Sequence, residues 1–250
     1  PLWEALKDIA LKHRKFADAQ WAMPLERVVK IEEVANRLAP ASFQLASRML
    51  FTERDFDLYE DKDDFEIQQK RLDQIRQDAV KAILNAEGPD GVVQFSKQVE
   101  SPRKVGDALG AIEDPRIDAF LLPAFLQHGD RLINLFLESF MRRRRWTQGW
   151  EWVDKQLSQG WQKDQILAFL LLVPFEREIW LRAEKILGSE ANTYWKQVQA
   201  NPWGMQPDDL LEAAEKLTSN GQPTAAIDCL YLLSHRKVPI PMPLASVALL

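Results

Sequence analysis

The chain has 250 residues, 46% hydrophobic and 28% charged, with a formal net charge of −5. That much apolar material can bury a sizeable core and excludes a disordered chain, while the negative balance disfavours general nucleic-acid binding, which needs surplus cations against phosphate. A lone cysteine excludes an intramolecular disulfide, and the longest apolar run, Ile166 to Pro174, is about half a membrane span, so the expected compartment is the cytosol, away from any membrane.

Apolar residues recur at three-to-four spacing almost throughout, the pattern of amphipathic helices. Leu2, Leu6, Ile9 and His13 fall on one face of the first predicted helix. Leu25, Val28, Ala35 and Leu38 share a face of the second, which Pro24 and Pro40 bracket. An acidic stretch follows, with Glu53, Asp55, Asp57, Glu60, Asp61, Asp63, Asp64 and Glu66 set against Arg54 and Lys62. Its charge suggests a calcium loop. However, it lacks the glycine of the sharp turn, and Phe56, Leu58 and Tyr59 interrupt the ligand spacing. A solvated loop whose last members favour the next helix start is the expectation. That helix is predicted from about Asp64 to Asn85. Asp63 caps it with Glu66 three residues on, Phe65, Leu72, Ile75, Ala79 and Ile83 face inward, and Gly88-Pro89 ends it.

Shorter helices bounded by Gly or Pro are predicted from Gly91 to Val99, Lys104 to Ile112, Arg116 to Leu126, Asp130 to Arg144, and Thr147 to Leu157. Lys163 to Val173, Phe175 to Leu187, Ser189 to Gln199, Asp208 to Leu217 and Pro223 to Ser234 continue the series. Only Val92 to Phe95 is rich in strand-forming residues, and it has no partner strand. The chain opens at Pro1 inside a helical pattern and closes at Leu249-Leu250 inside an apolar stretch. It therefore reads as a piece of a longer protein, with clipped disordered flanks as the alternative.

Arg142, Arg143, Arg144 and Arg145 end a predicted helix whose apolar face is Leu132, Leu135, Phe136 and Phe140. Four cations in a last turn complement the helix dipole, which accounts for them structurally. They also form the candidate site of the chain, for an anion or an acidic peptide, because adjacent guanidiniums fan around a helix and cannot all pair internally. Glu138 lies one turn before Arg142, and the acidic stretch from Glu53 to Glu66 is the strongest intramolecular competitor. Seven of the nine tryptophans lie between Trp146 and Trp203. Trp146 and Trp150 sit one helical turn apart and Trp152 points elsewhere, which suits aromatics buried between helices better than a single-strand nucleic-acid platform.

Neither a phosphate-cradling glycine motif nor a Gly-x-Ser-x-Gly occurs, so no catalytic residue and no cofactor is nominated. His13, His128 and His235 are far apart and outside any metal-ligand spacing, so no metal is assigned. Cys229 lies beside the apolar face of its helix and reads as a small buried hydrophobe.

Between Pro207 and Pro239 the pattern sharpens. Leu210, Ala213, Ala214 and Leu217 lie on one helix, Gly221 turns the chain, and Ala226, Ile227, Leu230 and Leu233 lie on the next. Small residues at Ala214 and Ala226 let two antiparallel helices approach closely. This stretch resembles one tetratricopeptide repeat, with Leu217 and Leu230 at the expected aromatic positions and Leu233 at an expected small one. The resemblance implies a superhelix whose concave face binds peptides or protein elements, of the kind found behind nucleotide-binding modules in large bacterial signalling or defence proteins.

The expected fold is all-α, a degenerate array of stacked helical hairpins over residues 1–250, with a division near the acidic loop 53–64 if it divides at all. A compact irregular helical domain is the alternative. The expected function is a non-enzymatic interaction or scaffold region whose partner is a protein, a peptide or another domain of its parent chain. The rivals are an accessory helical domain of a nucleotide-hydrolysing or other enzyme, and a HEAT-like array that binds nucleic acid.

Overall fold

Helices account for all regular structure in the computed structural model, which describes residues 2–59, 64–242 and 244; among these there is no strand. The all-α expectation therefore holds, and Val92 to Phe95 is helical. The chain forms two compact units, Pro1–Thr147 and Gln148–Leu250, and the acidic stretch lies within the first.

The first unit opens with α1 (Leu2–Lys15) and α2 (Leu25–Arg37). They pack as a hairpin, and the His13 imidazole Nδ1 accepts a bond from the Met23 amide at 3.0 Å. The buried stripe of α1 is Trp3, Ala10 and Lys15, whereas Leu2 and Ile9 face outward; in α2 Val28 and Ala35 are buried, and Leu25 and Leu38 are exposed. The predicted faces were therefore rotated on α1 and too wide on α2. Periodicity locates an apolar stripe, but a neighbouring element decides which edge of it is covered.

A short α3 (Phe43–Ser47), capped by Ser42, leads through two 3-10 turns into the acidic stretch. α4 (Phe65–Ser96) follows. Asp63, expected as its cap, lies outside the described residues; Asp64 caps it, its carboxylate accepting from the Ile67 amide at 3.3 Å. Gly88 breaks α4 with non-helical backbone (φ 71°, ψ −174°) ahead of Pro89, as the Gly-Pro pair demands. Leu72, Ala79 and Ile83 are buried as expected, but Phe65 and Ile75 are exposed.

α5 (Pro102–Gly110), α6 (Pro115–Leu121) and the first part of α7 (Arg131–Leu157) complete the unit. Val105, Leu109, Ile117, Ile133, Phe136, Leu137 and Phe140 form its dry core. α7 does not stop at Arg144. Arg145 and Trp146 carry no breaking chemistry, so the helix runs on to Gly149, whose positive φ interrupts it. The arginine run therefore ends about one turn before that interruption and is not the last turn, and the interruption at Gly149 separates Trp146 from Trp150.

The second unit continues with α8 (Lys163–Leu172), α9 (Arg177–Leu187), α10 (Ala191–Gln197), α11 (Pro207–Ser219) and α12 (Pro223–His235). Its core is aromatic: Trp180 and Trp195 lie 5.3 Å apart between ring centroids, with Phe175 4.8 Å from Trp180 and Tyr194 5.5 Å from Trp195. Trp152 packs on Phe169 at 5.7 Å. Trp146 and Trp203 are instead exposed, so buried aromatics explain only part of the cluster.

α11 and α12 fold back on one another through Asn220–Gln222, with Gly221 at φ 78°. The Gln222 amide ties this turn to the end of α10, donating to the Trp195 carbonyl at 2.7 Å and the Val198 carbonyl at 3.0 Å. Leu210, Ala213, Ala214, Leu217, Ala226, Leu230 and Leu233 are buried; Ile227, expected on that face, is exposed. Cys229 takes its place inside, fully buried, and burial beside Asp228 pushes its thiol up to about 12. Because Ala226 has no exposed surface, Ala226→Leu is expected to overpack the hairpin and to cost roughly 1–3 kcal/mol, read as a lowered thermal midpoint. A wild-type midpoint would show that the hairpin has room at Ala226.

Candidate functional site

The four arginines of the run have different fates, because successive residues on a helix point about 100° apart. Arg144 is wholly buried. Its Nε donates to Asp118 at 2.9 Å, and its other nitrogens donate to the carbonyls of Gly110 at 3.0 Å, Ile112 at 2.5 Å and Asp114 at 3.4 Å. The guanidinium also lies 5.2 Å from the Phe140 ring centroid. It laces the α5–α6 connection to α7 and is unavailable to any ligand, which corrects its place in the candidate site. Arg145 is half-buried and engaged within the fold.

Arg142 and Arg143 behave differently. Both approach Asp107 of α5, at 3.6 and 3.9 Å, distances of an ion pair and not of a hydrogen bond. Burial pushes the Asp107 carboxyl up from the ordinary carboxylate range, even against the lowering effect of Arg143 and Arg142. Arg143 keeps a buried Nε–H with no acceptor. Glu138, the expected helical neighbour of Arg142, instead pairs with Arg103 at 2.6 Å.

Of the described part of the acidic stretch, Asp55 lies toward these arginines yet spends its charge elsewhere. Asp55 accepts from Arg76 at 2.6 Å and from Lys104. Although burial alone would raise its carboxyl, those two cations hold it below the ordinary range. Arg76 also donates to the Leu50 carbonyl at 2.6 Å, and Lys104 to that of Glu53 at 3.0 Å, so this part of the stretch is strapped down rather than solvated. Between these groups lies a polar cleft of about 380 Å³, lined by Gln69, Asp73 and Gln77 of α4, by Arg103, Lys104 and Asp107 of α5, and by Arg142 and Arg143. Neither Asp107 nor Arg103 was singled out from the sequence. The signal available was spacing alone: Arg103 and Asp107 stand one turn apart on α5.

On another face of α4 the unit carries a groove of about 1590 Å³. One wall is α1, through Ala5, Leu11 and the polar residues Glu4, Lys7 and Asp8. The other is a stripe of α4 at helical spacing, Leu72, Ile75, Ala79 and Ala82, and the floor is Phe43, Ala46, Met49 and Leu50. Ile75 at 39% and Phe43 at 53% exposure leave large apolar surface open to water. Around the rim stand six carboxylates (Glu4, Asp8, Glu32, Asp57, Asp78, Glu100) and four cations (Lys7, Arg14, Arg48, Arg54). Three of those cations already have partners, and so do the carboxylates of Asp8, which pairs with Lys12 at 2.8 Å, and Asp78, which accepts from Gln74 at 3.0 Å. Arg14 pairs with Glu32, Arg48 donates to Gln98, and Lys7 lies 5.3 Å from the Trp3 ring centroid. This explains why Ile75, predicted to face inward, is exposed: it points into the groove.

Among the described residues no three His, Cys, Asp or Glu side chains converge as metal ligands, and no helix is long and apolar enough to cross a membrane. Comparison of the chain with protein-family models, characterised proteins and solved structures gives no match.

Proposed function

We propose that this chain is a non-enzymatic protein-interaction region, a scaffold of helical hairpins of the tetratricopeptide-like kind, and that its first unit receives an amphipathic helix of a partner protein. The carrying observation is the α1–α4 groove. At about 1590 Å³ it exceeds the range of roughly 300–1,000 Å³ typical of small-molecule pockets and suits a helical segment. Its apolar stripe offers anchors at the spacing an incoming helix presents, and half-exposed Phe43 supplies an aromatic contact. Six carboxylates against four cations leave the rim formally acidic, which favours a helix with Lys or Arg beside its apolar face. The hairpins α1–α2 and α11–α12 supply the scaffold logic: each covers one face of a helix pair and leaves another for a neighbour.

The test is selection of helical peptides from a displayed library by the full chain. Selected peptides are expected to share apolar residues at i, i+3, i+4 and i+7 flanked by basic ones. Ile75→Glu and Ala82→Glu place charge on exposed groove positions, so they are expected to leave the circular dichroism spectrum intact and to weaken those peptides about tenfold or more. Peptides that bind both variants as tightly as the parent chain would move the interaction away from this groove.

A further inference from the structure

We infer that Arg142 and Arg143 hold the phosphate of a small phosphate monoester in the cleft between α4, α5 and α7, with the polar wall of α4 receiving its hydroxyl- or ammonium-bearing body. This inference does not rest on the helix-binding groove, which uses the opposite residues of α4.

The donors are present and under-used. Each guanidinium carries five N–H groups, and among the described residues the acceptor near both is one carboxylate, Asp107, beyond hydrogen-bond distance. A buried, unpaired donor of a charged group is costly, and Arg143 Nε is one. Position is fixed as well: any Cβ on Gly110 would lie 2.7 Å from the Arg143 Cβ, so α5 grips the arginine stem and only its head can answer to a ligand.

Shape narrows the class. A carboxylate presents two oxygens in one plane and is met best by a single bidentate arginine. Arg142 and Arg143 leave the helix about 100° apart and converge from different sides, which a tetrahedral oxyanion satisfies with separate oxygens. The cleft, about 380 Å³, is larger than a bare phosphate requires and falls within the small-ligand range. Across it stand the Gln77 amide and the Asp73 carboxylate, one oxygen of which accepts from Gln69 at 2.9 Å and lies 3.9 Å from Arg76. The Asp73 charge would repel a second anion and attract an ammonium, so the pattern favours a dipolar monoester over inorganic phosphate. Asp107 is the built-in competitor for the arginines, and its burial already disfavours its charged form.

Isothermal titration of the full chain at fixed ionic strength tests this, with phosphoethanolamine as the dipolar probe and inorganic phosphate as the reference. Saturable one-to-one binding of phosphoethanolamine, tighter than that of phosphate, is expected. Arg142→Ala removes a mostly exposed side chain without threatening the fold and is expected to weaken binding about tenfold or more. Asp73→Asn is expected to erase the preference over phosphate, and Asp107→Asn to tighten both ligands. Absence of saturable binding to the parent chain overturns the proposal, as does unchanged affinity in Arg142→Ala. Binding that emerges only in Asp107→Asn also overturns it, because Asp107 would then be the arginines' true and sufficient partner.

Discussion

Arg144→Ala is expected to destabilise the first unit by about 3–5 kcal/mol, among the largest effects of any single side-chain truncation in it. The residue is wholly buried, and its removal takes a charged donor from four acceptors, the Asp118 carboxylate and the carbonyls of Gly110, Ile112 and Asp114, of which Ile112 and Asp114 keep a backbone bond each. Asp118 is itself nearly buried, so truncation removes the guanidinium that faces its charge in a medium that solvates it poorly. Arg144→Lys is expected to recover only part of the loss, because a single ammonium cannot reproduce a planar fork that reaches one carboxylate and three carbonyls. Asp118→Leu combined with Arg144→Met removes both charges and is expected to be milder than Arg144→Ala alone. Chemical denaturation followed by circular dichroism measures all three, with Arg142→Ala as the near-neutral control. A loss below about 1 kcal/mol in Arg144→Ala would mean that water or a neighbouring cation replaces the guanidinium.

The four arginines also show what the sequence carries and what it withholds. Helix existence and helix breaks depend on local chemistry, so Pro24, Gly88-Pro89 and Gly221 all punctuate the chain where their backbone preferences require. The α11–α12 hairpin is legible for the same reason, since its small residues and turn glycine sit at intervals that tolerate few other readings. Burial within a run of identical residues is a tertiary property. One clue was present: Phe136, Phe140 and Arg144 stand four residues apart, so Arg144 extends a stripe of two fully buried rings. The slip from Leu2 and Ile9 to Trp3 and Ala10 on α1 has the same origin, because an alanine at a tight contact is invisible to hydrophobicity alone. The groove was hidden more deeply. Ile75 has the periodicity of a core residue, and only the spatial arrangement reveals that no element of the described chain covers it.

Gly106→Ala is the second large effect, and its cause is the opposite of a lost contact. A Cβ on Gly106 would lie 2.0 Å from the Phe136 carbonyl oxygen and 3.1 Å from the Phe140 amide nitrogen. Both atoms belong to the backbone of α7, so no side-chain rotation relieves the overlap and the whole of α5 must move outward. One turn later a Cβ on Gly110 would meet the Phe140 carbonyl oxygen at 2.8 Å, so the two glycines form one contact surface along α5. Moving α5 opens gaps around Val105 and Leu109, both fully buried, and it drags the Gly110 carbonyl away from Arg144. Against this, alanine is a better helix former than glycine by about 1 kcal/mol. Overpacking ordinarily costs about 1–3 kcal/mol and more where backbone is struck, so the net loss is expected to be about 3 kcal/mol or greater. For a chain of this size that lowers the melting temperature by roughly 2–4 °C per kcal/mol. Alanine at Gly106 with an unchanged or raised melting temperature would show that α5 and α7 stand further apart than these distances, and that helix propensity governs the site.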